Sequence, residues 1–460
     1  MKRILLASLP VGGGHRALRD SLGLALASGP GAFEPRAFDS QDTKLGAVYA
    51  FCVHRAPWLQ RLQFILSDTR LALPACVWAN PRLQAEVRDV LVRERPDAVV
   101  ATHFLVSAMF VRARRQLGLS LPVVNAIPDY GEPTEIFAPR GAWRPEGLIV
   151  MEPRVRERIV QRGAAPRAHV HLSGFLPRAP FQELGRELGA HARLPAARRL
   201  ALWRTLAAEH PAARGLDPAR PTVLFLGGSE WTEKTAPVLE RLLGTPALRE
   251  RLNVAVVCGR DERFRQALEA RVAGPRRVAL FGFVDAGTLA RLMALADVPV
   301  LGSLAPASLH ELMETRCGPL LLFHAIPGSE DAHPAYIAEQ EVGLSETDPD
   351  AMLERVAQAT GLLPAGPRLA RLLSVYPERM RALREANRER ATHLGAFLTH
   401  LMDWTDSGPL PLLCSHPEHE APGRVAEAHV HDEGHEEVGQ LDGQPHPVHE
   451  QAEERPVQGE

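Results

Sequence analysis

The sequence predicts an α/β protein built on parallel sheets, and three observations carry that reading. The first is the stretch from Leu280 to Gly343, where strand, turn and helix alternate. LFGFV (Leu280–Val284) precedes a helix pattern over Leu289–Asp297; VPVLG (Val298–Gly302) runs into APASLHELM (Ala305–Met313); PLLLF (Pro319–Phe323) ends in the turn AIPGSEDAHPAYI (Ala325–Ile337). The second is the beginning of the chain, where Ile4–Leu9 reads as a strand, VGGGH (Val11–His15) as a turn, and Leu18, Leu22, Ala25 and Leu26 fall on one helical face. The third is that the strand-like runs PDAVVATHF (Pro96–Phe104), VVNAIPDY (Val123–Tyr130) and VAVVCG (Val254–Gly259) are apolar along most of their length, as strands covered on both faces are. Such sheets place their ligand-facing turns at the carboxyl ends of the strands. Two helix N-termini behind those turns aim free N–H groups at one crevice, which suits a diphosphate.

A chain of 460 residues has room for two cores. We divide it into a first domain over 1–180, a helical connector over 181–220, a second domain over 221–375, and a helix over 376–406 that crosses back to the first. The tail, 407–460, is acidic and His-rich and is expected to be disordered. Hydrophobic residues make up 45% and charged residues 23%, which places the chain among ordinary globular enzymes. The net charge of -2 hides an asymmetry. Residues 411–460 hold 12 Asp/Glu against two Arg, net -10, which leaves residues 1–410 with 51 basic and 43 acidic residues, net +8. That excess suits an anionic lipid surface or phosphorylated ligands, although solvated surface explains it equally. Five scattered cysteines form no CxxC pair and argue for a reducing compartment without a disulfide framework or zinc site. MKRILLASLP meets a glycine-rich turn and reads as a first strand, not a leader. No run approaches the ~18 apolar residues of a membrane span, so membrane contact is expected to be peripheral.

Taken in order, the candidate functional residues sit at the turns. Gly12, Gly13 and Gly14 let backbone approach a reacting group, and His15 lies in the first turn of the helix that follows. The helix dipole disfavours imidazolium there, and a neutral imidazole is what a general base must be. A hydrogen bond to the loop is the plainer role for the same histidine. Residues 45–85 interleave aromatic, aliphatic and Arg residues; Trp58, Leu59 and Phe64 mark an interfacial amphipathic surface or, equally, the inner face of a core helix pair. His103 and Asp129 fall at carboxyl strand ends, where ligands or purely structural contacts are placed. Gly227 and Gly228 follow the strand PTVLFL as a phosphate turn or a simple strand–helix turn. Asp348-Pro349-Asp350 reads as a helix N-cap with Pro at the first helical position, so no metal ligand is expected there.

The run GFVDAGTLARLMALADVPVLGSLAPASLHELM (Gly282–Met313), with IPGSEDAHPAYIAEQEVG (Ile326–Gly343), resembles the donor-binding half of the monogalactosyldiacylglycerol synthases and is similar to that of the processive diacylglycerol glucosyltransferases, in glycosyltransferase family 28. In the earlier half, GGGH, Thr102-His103 and Asp129-Tyr130 resemble motifs of the same enzymes. The resemblance implies the GT-B arrangement, two facing Rossmann-like domains, with a UDP-sugar donor, a lipid acceptor, and neither metal nor cofactor nor nucleic acid. It further implies a cytoplasmic protein, peripheral on the inner face of the cell membrane. By the same resemblance Glu311 accepts from the ribose hydroxyls, the Phe283–Val284 backbone lies by the uracil, and Ser308, Gly328, Ser329, Glu330 and His333 contact the diphosphate or donor sugar. His15, or failing it His103 or Asp129, takes the acceptor proton in an inverting displacement. The sequence departs from the family pattern in several places. Leu9, Pro10 and Val11 occupy the position of an expected Asp, and Pro133 that of an expected His. Ser303-Leu304-Ala305-Pro306-Ala307-Ser308 replaces a Lys-Ala-Gly-Pro-Gly-Thr run, which removes a charge-assisted contact of roughly 1.5–3 kcal/mol. Gly328-Ser329-Glu330-Asp331-Ala332-His333 replaces Gly-Gln-Glu-x-x-Asn. These departures point to a different donor sugar or to a weakened or inactive enzyme; beside the lipid transferase stand a transferase with a polyprenyl-linked acceptor and a non-catalytic nucleotide-sugar-binding relative.

Overall fold

A computed structural model describes residues 1–406 apart from 11–12, 42–47, 49–50, 53–55, 132, 189–193, 229–231 and 273–276. The expected tail, Gly12 and Ser229 lie outside the described residues. Two parallel six-stranded sheets organise the rest. The first holds β1 (Lys2–Ser8), β2 (Phe33–Asp39), β3 (Ala98–Ala101), β4 (Val123–Ile127), β5 (Gly147–Val150) and β6 (Val170–Leu172), in the order β2-β1-β3-β4-β5-β6. The second holds β7 (Thr222–Leu226), β8 (Asn253–Val257), β9 (Val278–Phe281), β10 (Val298–Leu301), β11 (Leu320–Leu322) and β12 (Gly343–Ser345), in the order β12-β11-β10-β7-β8-β9. β3, β4, β7 and β8 are buried at every residue, which is why they read as unbroken apolar runs.

The helices of the first half are α1 (Gly14–Ser28), α2 (Pro57–Leu66), α3 (Ala72–Trp78), α4 (Pro81–Glu94), α5 (Phe104–Gln116) and α6 (Pro153–Gln161). Between the sheets run α7 (Ala179–Leu188) and α8 (Ala196–Glu209). The second half adds α9 (Ala236–Gly244), α10 (Pro246–Arg249), α11 (Glu262–Val272), α12 (Ala286–Leu295), α13 (Pro306–Thr315), α14 (His333–Glu339) and α15 (Pro349–Ala359). α16 (Pro367–Thr392) and α17 (Leu394–Asp406) close the described chain.

Two local expectations shift, and the expected Asp348 cap holds. The strand expected over Leu280–Val284 is β9 and ends at Phe281; the next residues form a turn that Asp285 closes by capping α12, accepting from Gly287 N at 2.8 Å and Thr288 N at 3.0 Å. Asp348 caps α15 through Ala351 N at 2.8 Å. The long terminal helix expected from Tyr376 begins earlier, at Pro367, and breaks after Thr392; Gly395 then lies close against Pro30 and Phe33, so α17 packs on the first half.

α16 returns to the first half over the segment that follows β6. Asn387 grips that segment from both sides: its Oδ1 accepts from Phe175 N at 2.7 Å and its Nδ2 donates to Phe175 O. A Cβ at Gly174 would overlap the Asn387 carbonyl, so the helix can approach this closely only over glycine. We expect Gly174→Ala to cost about 1–3 kcal/mol by overpacking. The measurement is the midpoint of thermal unfolding, and an unchanged midpoint would mean that α16 does not rest on this backbone.

Candidate functional site

Each sheet reverses its strand order at one place, which is where sheets of this kind place a ligand beyond the carboxyl strand ends. In the first sheet the reversal falls between β1 and β3. Gly13 and Gly14 follow β1, with nothing within 4 Å of where a side chain would begin, so the space before them is open. His15, in the first turn of α1, donates from Nδ1 to Thr102 O, which leaves Nε2 as the acceptor atom. The Thr102 hydroxyl donates back to His15 O at 2.9 Å. His103 caps α5, its Nδ1 accepting from Leu105 N at 3.1 Å. The two histidines thus meet edge to face, ring centroids 4.8 Å apart. Burial lowers the pKa of His15, with the Thr102 carbonyl opposing; burial and then His15 hold His103 well below the usual imidazole value. Both are neutral at pH 7.

In the second sheet the reversal falls between β7 and β10. Gly227 ends β7 and Gly228 turns the chain with φ +62°. Glu330 is locked at the turns after β10 and β11: Ser303 Oγ donates to Oε1 at 2.6 Å, and Ile326 N and Leu304 N donate to Oε2 at 3.0 and 3.4 Å. One of the amides expected to face a diphosphate therefore faces this carboxylate. Ser308 and Glu311 are buried on α13, and Glu311 Oε1 accepts from Arg178 Nε at 2.7 Å. Val284 is partly buried, whereas Phe283 is 64% exposed with the Arg260 guanidinium 5.0 Å from its ring centre. Ser329 is partly buried, and Gly328 takes φ +87°, with Phe64 of α2 so near that a Cβ would lie 2.9 Å from it.

The halves meet between β4 and α14. Tyr130 stacks on Tyr336 with centroids 4.2 Å apart, lies edge-on to His333 at 5.3 Å, and its hydroxyl is 3.2 Å from His310 Nε2. Phe175 stacks on the other side of this group, against His310 at 5.1 Å. Burial, then Arg390, brings His310 down to about 3; burial brings His333 to about 4, with the Leu304 backbone and Asp331 opposing. Asp129, partly buried beside Tyr130, is raised to about 7 by burial and then by the Glu330 charge. Glu330 is itself raised by burial against its three donors. Sequence reasoning brought out Asp129, Glu330 and His333 but missed Tyr336, His310 and Arg178. One signal was available: the chain has four tyrosines, and two of them meet here.

Beside this junction, Trp58, Leu62, Ile65 and Leu66 of α2, Leu71, and Trp78 of α3 are all exposed, Trp58 at 69% and Trp78 at 81%. Leu59 is partly buried, and Phe64 turns away from the exposed group toward Gly328. Among the described residues no three His, Cys, Asp or Glu side chains gather as a cation's ligands.

Burial raises the Glu311 carboxyl while Arg178 holds it down. Arg178→Ala would leave that carboxylate uncompensated, so its pKa would rise and its ionisation would oppose folding above the unfolded value. The variant should lose about 1–2 kcal/mol at pH 8, discounted because Arg178 is 43% exposed, and should approach wild type as pH falls through the carboxylate range. Chemical denaturation at pH 8 and pH 4.5 measures this; a pH-independent loss would mean that only packing was removed.

No described protein family matches the chain, and no curated protein is similar to it in sequence. Solved structures are similar in fold. They include an MnaA–UDP co-structure from S. aureus, 11% identical over 87% of this chain and 97% of that one, with a TM-score of 0.55. UDP-GlcNAc 2-epimerase from Neisseria meningitidis bound to UDP-GlcNAc is 10% identical over 87% and 100%, with a TM-score of 0.51. An α,α-trehalose-phosphate synthase (UDP-forming) from Burkholderia xenovorans in complex with glucose-6-phosphate is 13% identical over 88% and 100%, with a TM-score of 0.53. Two Rossmann-like halves on parallel six-stranded sheets, together with these likenesses, give the chain a GT-B fold.

Proposed function

We propose that the protein is an inverting glycosyltransferase that moves a hexose from a UDP-sugar to the hydroxyl of a diacylglycerol-type lipid at a membrane surface. The observation that carries this reading is the exposed apolar surface of α2 and α3 beside the turn at Gly328. An apolar surface of this size on a soluble fold marks a binding face, and helices with Trp and Leu outward and Arg61 and Arg70 among them suit an anionic lipid interface. The similar solved structures, whose ligands include UDP and UDP-GlcNAc, support a uridine nucleotide in the second half. In this reading Glu311 faces the ribose, the turns after β7, β10 and β11 hold the diphosphate without a cation, and the crevice between β1 and β3 admits the acceptor headgroup. No helix among the described residues is long and apolar enough to cross a membrane, and in this reading the contact is peripheral.

A second reading, a nucleotide-sugar-binding protein without turnover, draws on one observation. Glu330 and Arg178 already occupy donors and an acceptor that a nucleotide would use.

Purified protein incubated with diacylglycerol-containing anionic vesicles and a panel of radiolabelled UDP-hexoses should give labelled glycolipid. Label only in a polyprenyl product, or UDP binding by calorimetry without turnover, would replace the lipid-glycosylation reading. Trp58→Glu and Ile65→Glu should each weaken vesicle sedimentation roughly tenfold, from lost burial of a large apolar side chain, and leave UDP affinity unchanged. Vesicle binding that survives both substitutions would remove α2 from the interface.

A further inference from the structure

We propose that Asp129 and Glu330 form one acid–base unit assembled across the cleft, Asp129 accepting the proton of the incoming hydroxyl and Glu330 presenting a fixed negative charge to it. The inference rests on the transferase reading and names the group that performs its proton transfer.

The two carboxylates come from opposite halves and are held differently. Glu330 is oriented by Ser303, Ile326 and Leu304. Asp129 follows β4, and two residues on, Gly131 packs against Ala332, with 3.4 Å between a built Cβ and the alanine methyl. The turn carrying Asp129 thus lies directly on the turn carrying Glu330. No hydrogen bond or ion pair among the described residues ties the Asp129 carboxylate down. One group is fixed and one is free to react. His15 and His103, the other proton acceptors of the first half, make their hydrogen bonds and ring contacts with Thr102, Phe104, Leu105 and each other, all within that half.

The surroundings fit this assignment. The titratable groups around the pair are Tyr130 beside Asp129, Glu152 at the head of α6, His310 on α13, and Asp331, His333 and Tyr336 at α14. Both histidines are neutral by burial; the Arg390 guanidinium acts on His310 and Tyr336, and the charge that acts on Asp129 is that of Glu330. His333 is fully buried with both ring nitrogens short of a well-formed hydrogen bond, and His310 Nδ1 lacks a partner. Burial and Glu330 hold Asp129 near 7, where a carboxylate can both take and release a proton at neutral pH.

In the step, the acceptor O–H bond breaks and its proton passes to Asp129. The oxygen's electron pair forms the new bond to the anomeric carbon while the bond from that carbon to the β-phosphate oxygen breaks. The departing electron pair leaves with UDP, and Asp129 returns the proton to solvent.

Glu330→Gln keeps an oxygen for the Ile326 and Leu304 amides, turns its NH2 toward Ser303 Oγ, which can accept, and removes the charge. Its acid limb in kcat/KM against pH should move down by about one unit. Asp129→Asn should lose at least about 100-fold in kcat with UDP affinity by calorimetry within twofold of wild type. A second readout needs no turnover. Because the folded pKa of Asp129 is raised, its ionisation opposes folding from about pH 4 upward and fully above about pH 7. Asp129→Asn should therefore unfold at higher denaturant than wild type at pH 8 and at the same denaturant at pH 4, and the pH 8 gain should shrink in the Glu330→Gln background. An acid limb that stays in place in Glu330→Gln, full activity in Asp129→Asn, or a pH 8 gain indifferent to residue 330 overturns the pairing. Absence of turnover in wild type with every UDP-hexose overturns the transferase reading instead, and the unfolding measurements then decide the pairing alone.

Discussion

The structure depends on how the chain passes from one half to the other over residues 173–178. Ser173 still belongs to the first sheet, its N–H donating to Val150 O at 2.9 Å. Gly174 lies under α16, and Phe175 is clasped by the Asn387 amide while its ring stacks on His310. Leu176 N donates to Ser21 Oγ of α1 at 2.6 Å, and Arg178 reaches Glu311 on α13. Four of these six residues, Gly174, Phe175, Leu176 and Arg178, therefore touch α1, α13 or α16. A relative motion of the halves must pivot here, because these are directional bonds whose partners would otherwise be left unpaired in the interior. The stacked group Phe175, His310, Tyr130 and Tyr336 extends that pivot to the mouth of the site.

Desolvation dominates the chemistry of that site. Four histidines near it are kept neutral by burial, and three carboxyls, Asp129, Glu330 and Glu311, are raised. Each such group lowers stability at neutral pH relative to an apolar residue of the same shape, so the arrangement makes poor sense as packing alone. The Arg178–Glu311 pair makes the contrast. There a buried carboxylate is compensated, and the cost of holding it is shared with a guanidinium at the edge of the solvent.

Much of the fold was legible because its signals are local. Buried parallel strands are continuous apolar runs, their turns carry glycine, and Asp348 announces the helix it caps. Partly exposed β2, FEPRAFD, gave no such run, and nothing in the Arg-rich terminal segment marks the break at His393, which comes from packing against Pro30 and Phe33. Within the site, residues at strand ends were legible for the same reason: topology sends turns to the crevice whatever they contain. His15 and His103 came from motifs 88 residues apart, and their meeting required only that β1 and β3 be neighbours. Tyr130 with Tyr336, and Arg178 with Glu311, are pairings across the two halves. No spacing within one half encodes them, because they are set by how the crossing segment seats one sheet against the other.

The turn from His324 to Ala332 joins these strands of argument. Its Ile326 amide and its Glu330 carboxylate bind each other, so the turn is self-braced and needs no ligand to hold its shape. Ala332 packs under the turn that carries Asp129, while Gly328 receives Phe64 from α2. The left-handed φ of Gly328 and the nearness of Phe64 exclude a side chain, so that contact is an approach of helix to bare backbone. A self-braced turn touched on one face by the turn that carries Asp129, and on another by the helix of exposed tryptophan and isoleucine, joins the two through contact alone.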